Sequence, residues 1–258
     1  MKTSLSTVLA ARVALEALVA LAVGASSVAA HAGSIQLIVT DKEGKPVPDV
    51  VVMVDPATPV IPALTAPPAP PALPATTPPA AAPVVITQEG QRFVPFLTVV
   101  QVGSTLRFVN RDSYDHHVRS TPSGPLGSTP AVKNFELRLD SVEGAPSPDD
   151  GYKSPAPARK RSGTSSAEVK VDAAGAIGLA CHIHASMRGQ VYVSGTPWFA
   201  KTDANGAAVI DGVPDGAAEL NLWHPDQLQE QAVQRVQVGA APLRAGAQLN
   251  FTPRRRRS

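Results

Sequence analysis

Ala180-Cys181-His182-Ile183-His184-Ala185-Ser186-Met187 is the stretch around which this sequence is organised. It holds the only cysteine of the 258-residue chain, two of its six histidines and one of its three methionines. A second histidine pair, His116-His117, lies well upstream. Four of the six histidines thus fall in two short stretches, and one of these also has the thiol. This clustering predicts a metal site.

The residue types indicate which metal the site would take. A thiolate, two imidazoles and a weak thioether are the ligands of mononuclear blue copper centres. The soft sulfur suits copper(I) and the nitrogens suit copper(II), so a mixed set with a distant methionine serves both states. The sequence therefore predicts copper as the cofactor, with the ligands His116, Cys181, His184 and Met187.

Each of these residues also has a structural interpretation. A lone cysteine is often a small buried hydrophobe and a methionine often fills a core. A single cysteine in an exported protein has no internal disulfide partner, which favours metal ligation. His182 could be an electron-entry edge, a stray ligand or a surface residue, and we interpret it as surface. His224, which precedes a proline, is interpreted as a structural residue at a strand end.

The order His…Cys-x2-His-x2-Met resembles that of the cupredoxins, and its tight spacing is more similar to amicyanin than to plastocyanin. The lead-in F-x-P…V-x-x-G…F-x-N-x-D…H-x-V, at 93–118, is similar to the segment before the first copper histidine of that family. The resemblance implies a Greek-key β-sandwich, bound copper and single-electron transfer. It implies that His116 is the ligand, and that the backbone N–H of His117 donates to the thiolate sulfur. Strand alternation places the two imidazoles on opposite faces, so only one of them ligates easily.

The longer pattern is similar to cupredoxin-containing proteins described as methylamine-utilisation proteins. The shared motifs are H-H-V at 116–118, C-H-I-H at 181–184, T-P-W-F-A at 196–200 and T-D-A-N-G at 202–206. The chain departs from them at Ala185 and Ser186, where similar proteins often have Asp and Trp. Without that aromatic side chain, the site is expected to be wetter.

The N-terminus, residues 1–32, is typical of a secretory signal. Lys2 and Arg12 precede an apolar run, and Ala-His-Ala at 30–32 offers small residues for cleavage. The alternatives are an uncleaved membrane anchor, or cleavage after Ala30, which would expose His31 as a copper-chelating N-terminus. The apolar run is short for a bilayer span, so cleavage and a periplasmic location are expected.

The rest of the chain divides by composition. Alternating apolar residues and turn signals predict an all-β fold. The patterns D-x-x-G-x-P-x-x-x-V at 41–50 and T-D-A-x-G…V-P-x-G…L-x-L-W-H-P at 202–225 resemble those of carboxypeptidase-regulatory-like sandwiches. The two segments that contain them are expected to form one small sandwich, with the cupredoxin domain inserted between them. The predicted parts are a hairpin at 34–55, a Pro/Ala-rich disordered insertion at 56–83, the cupredoxin domain at 84–195 with a disordered insertion at 140–166, the second regulatory-like segment at 196–252, and a basic tail at 253–258.

Several function classes lack the residues they need. The net charge is +2 and much of the positive charge is in the tail, so no basic face for nucleic acid is expected. No Ser/His/Asp set, phosphate loop or spaced carboxylate pair is recognisable, so no enzyme is predicted. The favoured function is a periplasmic type 1 copper protein that exchanges single electrons with transient redox partners. The alternatives are a copper storage or delivery module, and a non-redox adaptor of the cell envelope.

Overall fold

The computed structural model describes residues 32–57, 81–124, 127–142 and 164–254. These residues form sixteen β-strands and no α-helix, which confirms the all-β prediction. Within them, no helix is long and apolar enough to span a bilayer. The predicted signal, the two predicted insertions and the basic tail lie largely outside the described residues.

Nine strands from the middle of the chain form two facing sheets, here called the central sandwich. One sheet has the order β5-β11-β10-β7-β8 and the other β4-β3-β6-β9. Alternate side chains of each strand, such as Leu106 and Phe108 of β6, are buried between the sheets. The strands are β3 (Val84–Glu89), β4 (Arg92–Val94), β5 (Leu97–Gln101), β6 (Thr105–Asn110), β7 (His116–Thr121), β8 (Glu136–Leu139), β9 (Ser166–Lys170), β10 (Gly175–Cys181) and β11 (Arg188–Ser194).

Seven strands from the two sides of that region form a second pair of sheets, the flanking sandwich. Its sheets have the orders β13-β1-β16 and β12-β2-β14-β15. The first strand pairs antiparallel with β13 and parallel with β16. The strands are β1 (Ala32–Thr40), β2 (Val51–Pro56), β12 (Phe199–Lys201), β13 (Ala207–Pro214), β14 (Gly216–Trp223), β15 (Gln234–Val238) and β16 (Leu243–Gln248).

The two sandwiches share an apolar interface. In β2, Val52 and Val54 point into the flanking core, whereas Val51 and Met53 pack against the central sandwich. Across the interface the rings of Tyr192 and Trp223 lie 4.7 Å apart, measured between centroids. A strand buried on both faces needs a continuous apolar run, which explains why β2 does not alternate.

Strand pairing brings the two histidine-containing stretches together. The end of β10 lies beside β7 in antiparallel register, with Cys181 opposite Val118. His116, at the start of β7, therefore lies next to the cysteine. Gly189 is the second residue of β11, and a Cβ added there would approach the Cβ of Phe93 to 2.9 Å. This glycine is therefore at a position where another chain segment comes too close for a side chain.

Candidate metal centre

Three side chains meet at the end of the central sandwich. The Sγ atom of Cys181 lies 3.7 Å from Nδ1 of His116 and 3.4 Å from Nδ1 of His184. The donor atoms of all three lie within 4.8 Å of one another. His116 and Cys181 are only 1% and 3% exposed, and His184 is half-buried. The structure thus brings together three of the four predicted ligands as a convergent donor set.

The spacing fits one metal ion between them. A metal with nitrogen bonds of about 2.0 Å and a sulfur bond of about 2.3 Å separates those donors by about 3.5–3.8 Å, from tetrahedral to trigonal geometry. The two sulfur–nitrogen distances lie close to that range. One thiolate with two imidazoles is the equatorial donor set of a type 1 copper site, so the residues fit copper.

Met187, the fourth predicted ligand, closes the loop that begins at the cysteine. Its N–H donates to the carbonyl of His184 at 2.9 Å, and its carbonyl accepts the N–H of Cys181 at 3.3 Å. The side chain is 1% exposed and belongs to the same apolar cluster as the cysteine. These bonds hold the loop in a tight turn, so residues spaced three apart, Cys181, His184 and Met187, come to one end of the sheet.

A buried carboxylate fixes the orientation of His116. The Nε2 atom of that ring lies 2.8 Å from Oδ2 of Asp112, which leaves Nδ1 directed at Cys181. Asp112 also accepts the backbone N–H groups of Gly90 and Gln91. A carboxylate that holds the second nitrogen of a ligating histidine sets its tautomer and its basicity. The sequence pattern included Asp112, but the spacing alone did not indicate this role.

An aromatic ring from a neighbouring loop covers the two histidines. The ring of Tyr114 packs edge-on against His116 at 5.3 Å and His184 at 5.1 Å, measured between centroids. It lies in the segment between β6 and β7, anchored by the amide of Asn110, which donates to the carbonyl of Tyr114. The loop residues Ala185 and Ser186 predict a site without an aromatic cover. Tyr114 supplies one from a different part of the chain.

The remaining two histidines of these stretches lie on the opposite face of the sheet. The rings of His117 and His182 are 5.4 Å apart, and Nε2 of His117 contacts the carboxylate of Glu136. His117 nevertheless reaches the site through its backbone, because its N–H donates to the sulfur of Cys181. The alternation expected for His116 and His117 is therefore found. A further histidine, His224, is buried just beyond β14, with its ring against Phe251.

Comparisons with known proteins find no family model and no curated protein that matches the sequence. Among solved structures, the Cu(I) form of an amicyanin mutant is 18% identical over 43% of this chain and 82% of its own, with a TM-score of 0.29. A purple cupredoxin from Nitrosopumilus maritimus is 18% identical over 43% of this chain and 99% of its own, with a TM-score of 0.30.

A third similar structure is a copper-containing nitrite reductase from Thermus scotoductus SA-01. It is 18% identical over 45% of this chain, with a TM-score of 0.32. The match spans only 23% of the reductase chain.

Asp112→Asn is expected to weaken copper binding without unfolding the chain. The amide still fills the buried space, but it no longer offers a charged acceptor to Nε2 of His116. Loss of such an outer partner typically costs about 10–100-fold in metal affinity. The measurement is a competition titration with a copper chelator. Asp172→Asn, an exposed carboxylate paired with Lys133, is the matched control and should leave the affinity unchanged. Equal affinities in the two variants would contradict the role given to Asp112.

The cysteine is poised as a thiolate before any metal binds. Burial raises the pKa of the Cys181 thiol, but the His116 ring, the N–H groups of His117 and His184, and the His184 ring outweigh that effect. The net result lowers the pKa from 9.0 to about 6. Burial lowers the pKa of His116, whereas its contacts with Cys181 and Asp112 raise it to a net value above normal. Both shifts favour a thiolate paired with a protonated imidazole.

The metal-free chain should therefore ionise its thiol at unusually low pH. A titration followed by the ultraviolet absorption of the thiolate is expected to show a midpoint near pH 6, against 9.0 for an ordinary cysteine. Because the folded pKa is the lower one, this group stabilises the fold fully above the unfolded pKa. That stabilisation is lost as the pH falls through about 6. A midpoint that stays near the ordinary value would show that the hydrogen bonds to the sulfur do not form.

Proposed function

We propose that the chain is a type 1 copper protein that exchanges single electrons with partner proteins in the periplasm. The observation that supports this most is the convergence of Cys181, His116 and His184 at one buried point. Bound there, copper would supply a one-electron couple. The protein's contribution is to hold donors that suit both oxidation states in one fixed arrangement.

The fixed arrangement is what favours electron transfer over other copper chemistry. Asp112 holds one imidazole, two backbone N–H groups hold the sulfur, and the turn closed by Met187 holds the second imidazole. Donors that move little between oxidation states keep the reorganisation that accompanies electron transfer small. We assign the fourth position to Met187 and propose no catalytic step, so the proposed role is that of a carrier and not of an enzyme.

Access to the site favours one route for the electron. Among the four proposed ligands, three are at most 3% exposed and only His184 is half-buried. Its neighbour Ile183 is 57% exposed and gives this end of the molecule an apolar contact point. We therefore propose that partners dock briefly over the 183–186 loop and exchange electrons through the ring of His184. Such redox encounters use small interfaces.

Protein-film voltammetry of the copper-loaded chain tests this function. An electron carrier should give a reversible one-electron wave that persists over repeated cycles. The second candidate, copper storage or delivery, is favoured by the additional imidazoles of His117 and His182 on the opposite face of the same sheet. A storage site has no need to cycle. An irreversible wave, with copper lost on reduction or oxidation, would overturn the electron-carrier proposal and favour storage.

A further inference from the structure

In the central sandwich, the sheet β5-β11-β10-β7-β8 has a second histidine pair on the face opposite the Cys181 site. His117 lies on β7, and His182 lies just beyond the end of β10, the neighbouring strand. The N–H of His182 donates to the carbonyl of His117 at 2.8 Å, so the two residues face each other across the strands. Their ring centroids are 5.4 Å apart, so the two side chains share one face of the sheet and interact as a cross-strand pair.

A carboxylate completes this arrangement. Glu136, on β8 next to β7, contacts Nε2 of His117. At the first site Asp112 is hydrogen-bonded to Nε2 of His116, which leaves Nδ1 for the ligand cluster. An imidazole whose Nε2 is held by a carboxylate presents Nδ1 as a basic, oriented donor. The contact of Glu136 with Nε2 of His117 leaves Nδ1 as the ring nitrogen available for a metal.

Positive charges near the histidine pair would weaken metal binding there, but the pair remains accessible to ions in solvent. Arg138 is directly opposite His117 in the β7–β8 register, and Arg119 is opposite Glu136, so two guanidinium groups share this face. They disfavour a cation, whereas Glu136 favours one. The His117 side chain is 12% exposed and His182 is exposed, so an ion can reach the pair from solvent.

We propose that His117 and His182, oriented by Glu136, bind a second divalent metal ion on the face opposite Cys181. Imidazole donors suit zinc and copper(II), and a site without a thiolate has no special preference for copper(I). Adjacent strand residues point to opposite faces, so the pairs His116/His117 and Cys181/His182 place the two metal sites on either side of one sheet. The proposal goes beyond the electron-carrier function and does not depend on it.

Calorimetric titration with zinc tests the second site. The full-length chain is first loaded with one equivalent of copper, which zinc does not readily displace because copper(II) binds more tightly to such donors. One further zinc ion is expected to bind. His117→Asn and His182→Asn should each weaken its binding by tenfold or more, and Glu136→Gln by about tenfold or more. The visible spectrum of the copper site should be unchanged in His182→Asn, which shows that this variant is folded.

The matched control is Glu219→Gln, which removes an exposed carboxylate of the flanking sandwich, paired with Arg235, and should leave zinc binding unchanged. Titrating the copper-free chain should give two zinc ions, of which only one is sensitive to His182→Asn. This arm keeps the test independent of whether the Cys181 site takes copper. The proposal is overturned if no zinc binds beyond the first site, if His182→Asn binds it as tightly as the parent, or if Glu219→Gln weakens it as much as Glu136→Gln does.

Discussion

Replacing Cys181 by serine is expected to abolish the intense visible absorption of the copper-loaded chain. That absorption arises from charge transfer between a thiolate and copper, and the chain has no other cysteine. The hydroxyl is a harder donor and is not ionised near neutral pH. Copper affinity should fall by more than the roughly 10–100-fold caused by loss of an outer partner, because a direct ligand is removed. Absorption and electron paramagnetic resonance spectra of the two proteins provide the measurement.

A matched substitution separates the thiolate from its surroundings. His182→Asn changes the residue next to Cys181 but leaves the donor set of His116, Cys181 and His184 in place. It should keep both the colour and the affinity of the parent chain. Cys181→Ser that retained the visible band would refute the assignment of the sulfur as a ligand. The histidines would then be interpreted as an ordinary nitrogen-bound copper site.

Phe108→Ala is expected to cause the largest loss of stability among core substitutions near the site. Phe108 is fully buried on β6, packs against Phe135 at 5.5 Å between ring centroids, and belongs to the cluster that includes Cys181 and Met187. Truncating a buried phenylalanine costs about 3–5 kcal/mol, from lost burial and from the cavity left behind. Since domains are stable by only about 5–15 kcal/mol, this is a large fraction.

Denaturant unfolding followed by circular dichroism measures the effect. Leu228→Ala is the control, because Leu228 is 74% exposed and its truncation should change the free energy of unfolding by no more than about 0.5 kcal/mol. The copper-loaded form of Phe108→Ala should be more stable than its metal-free form, since an ion that binds only the folded chain stabilises it. Equal unfolding free energies for Phe108→Ala and Leu228→Ala would contradict the packing described for the central sandwich.

The part of the site formed by residues 181–187 could be predicted from the sequence because its ligands lie close together along the chain. Cys181, His184 and Met187 are spaced three residues apart, and a tight turn after a strand brings such residues to one end of a sheet. His116 required one more step, the alternation of side chains along β7, which turns His117 to the other face. The structure places all four residues at this end of the sheet, and their joint binding of copper is part of the proposed function.

The partners of the ligands could not be predicted, because they depend on register between distant segments. Tyr114 covers both imidazoles only because its loop folds back over the end of the sheet. Glu136 meets His117 only through the pairing of β7 with β8. Asp112 had a usable signal in its place four residues before His116, yet a loop carboxylate at that spacing has many other roles.

Two strands of the flanking sandwich also escaped prediction. In β15 and β16 most side chains are exposed or half-buried, and the sequences Q-R-V-Q-V and L-R-A-G-A-Q have few strong strand formers. Their conformation is set by pairing with β14 and with β1, which the local sequence does not encode. By contrast β1, with Ile35, Leu37 and Val39 buried in strict alternation, is predictable from its own residues.

X-ray absorption at the copper edge of the loaded, full-length chain tests the proposed copper site most directly. The measurement counts the sulfur and nitrogen neighbours of the metal without relying on a variant. One short copper–sulfur bond together with two imidazole nitrogens is the result expected for a single ion held by Cys181, His116 and His184. A first shell of nitrogen and oxygen alone would contradict this site, because copper would then be bound away from the only cysteine in the chain.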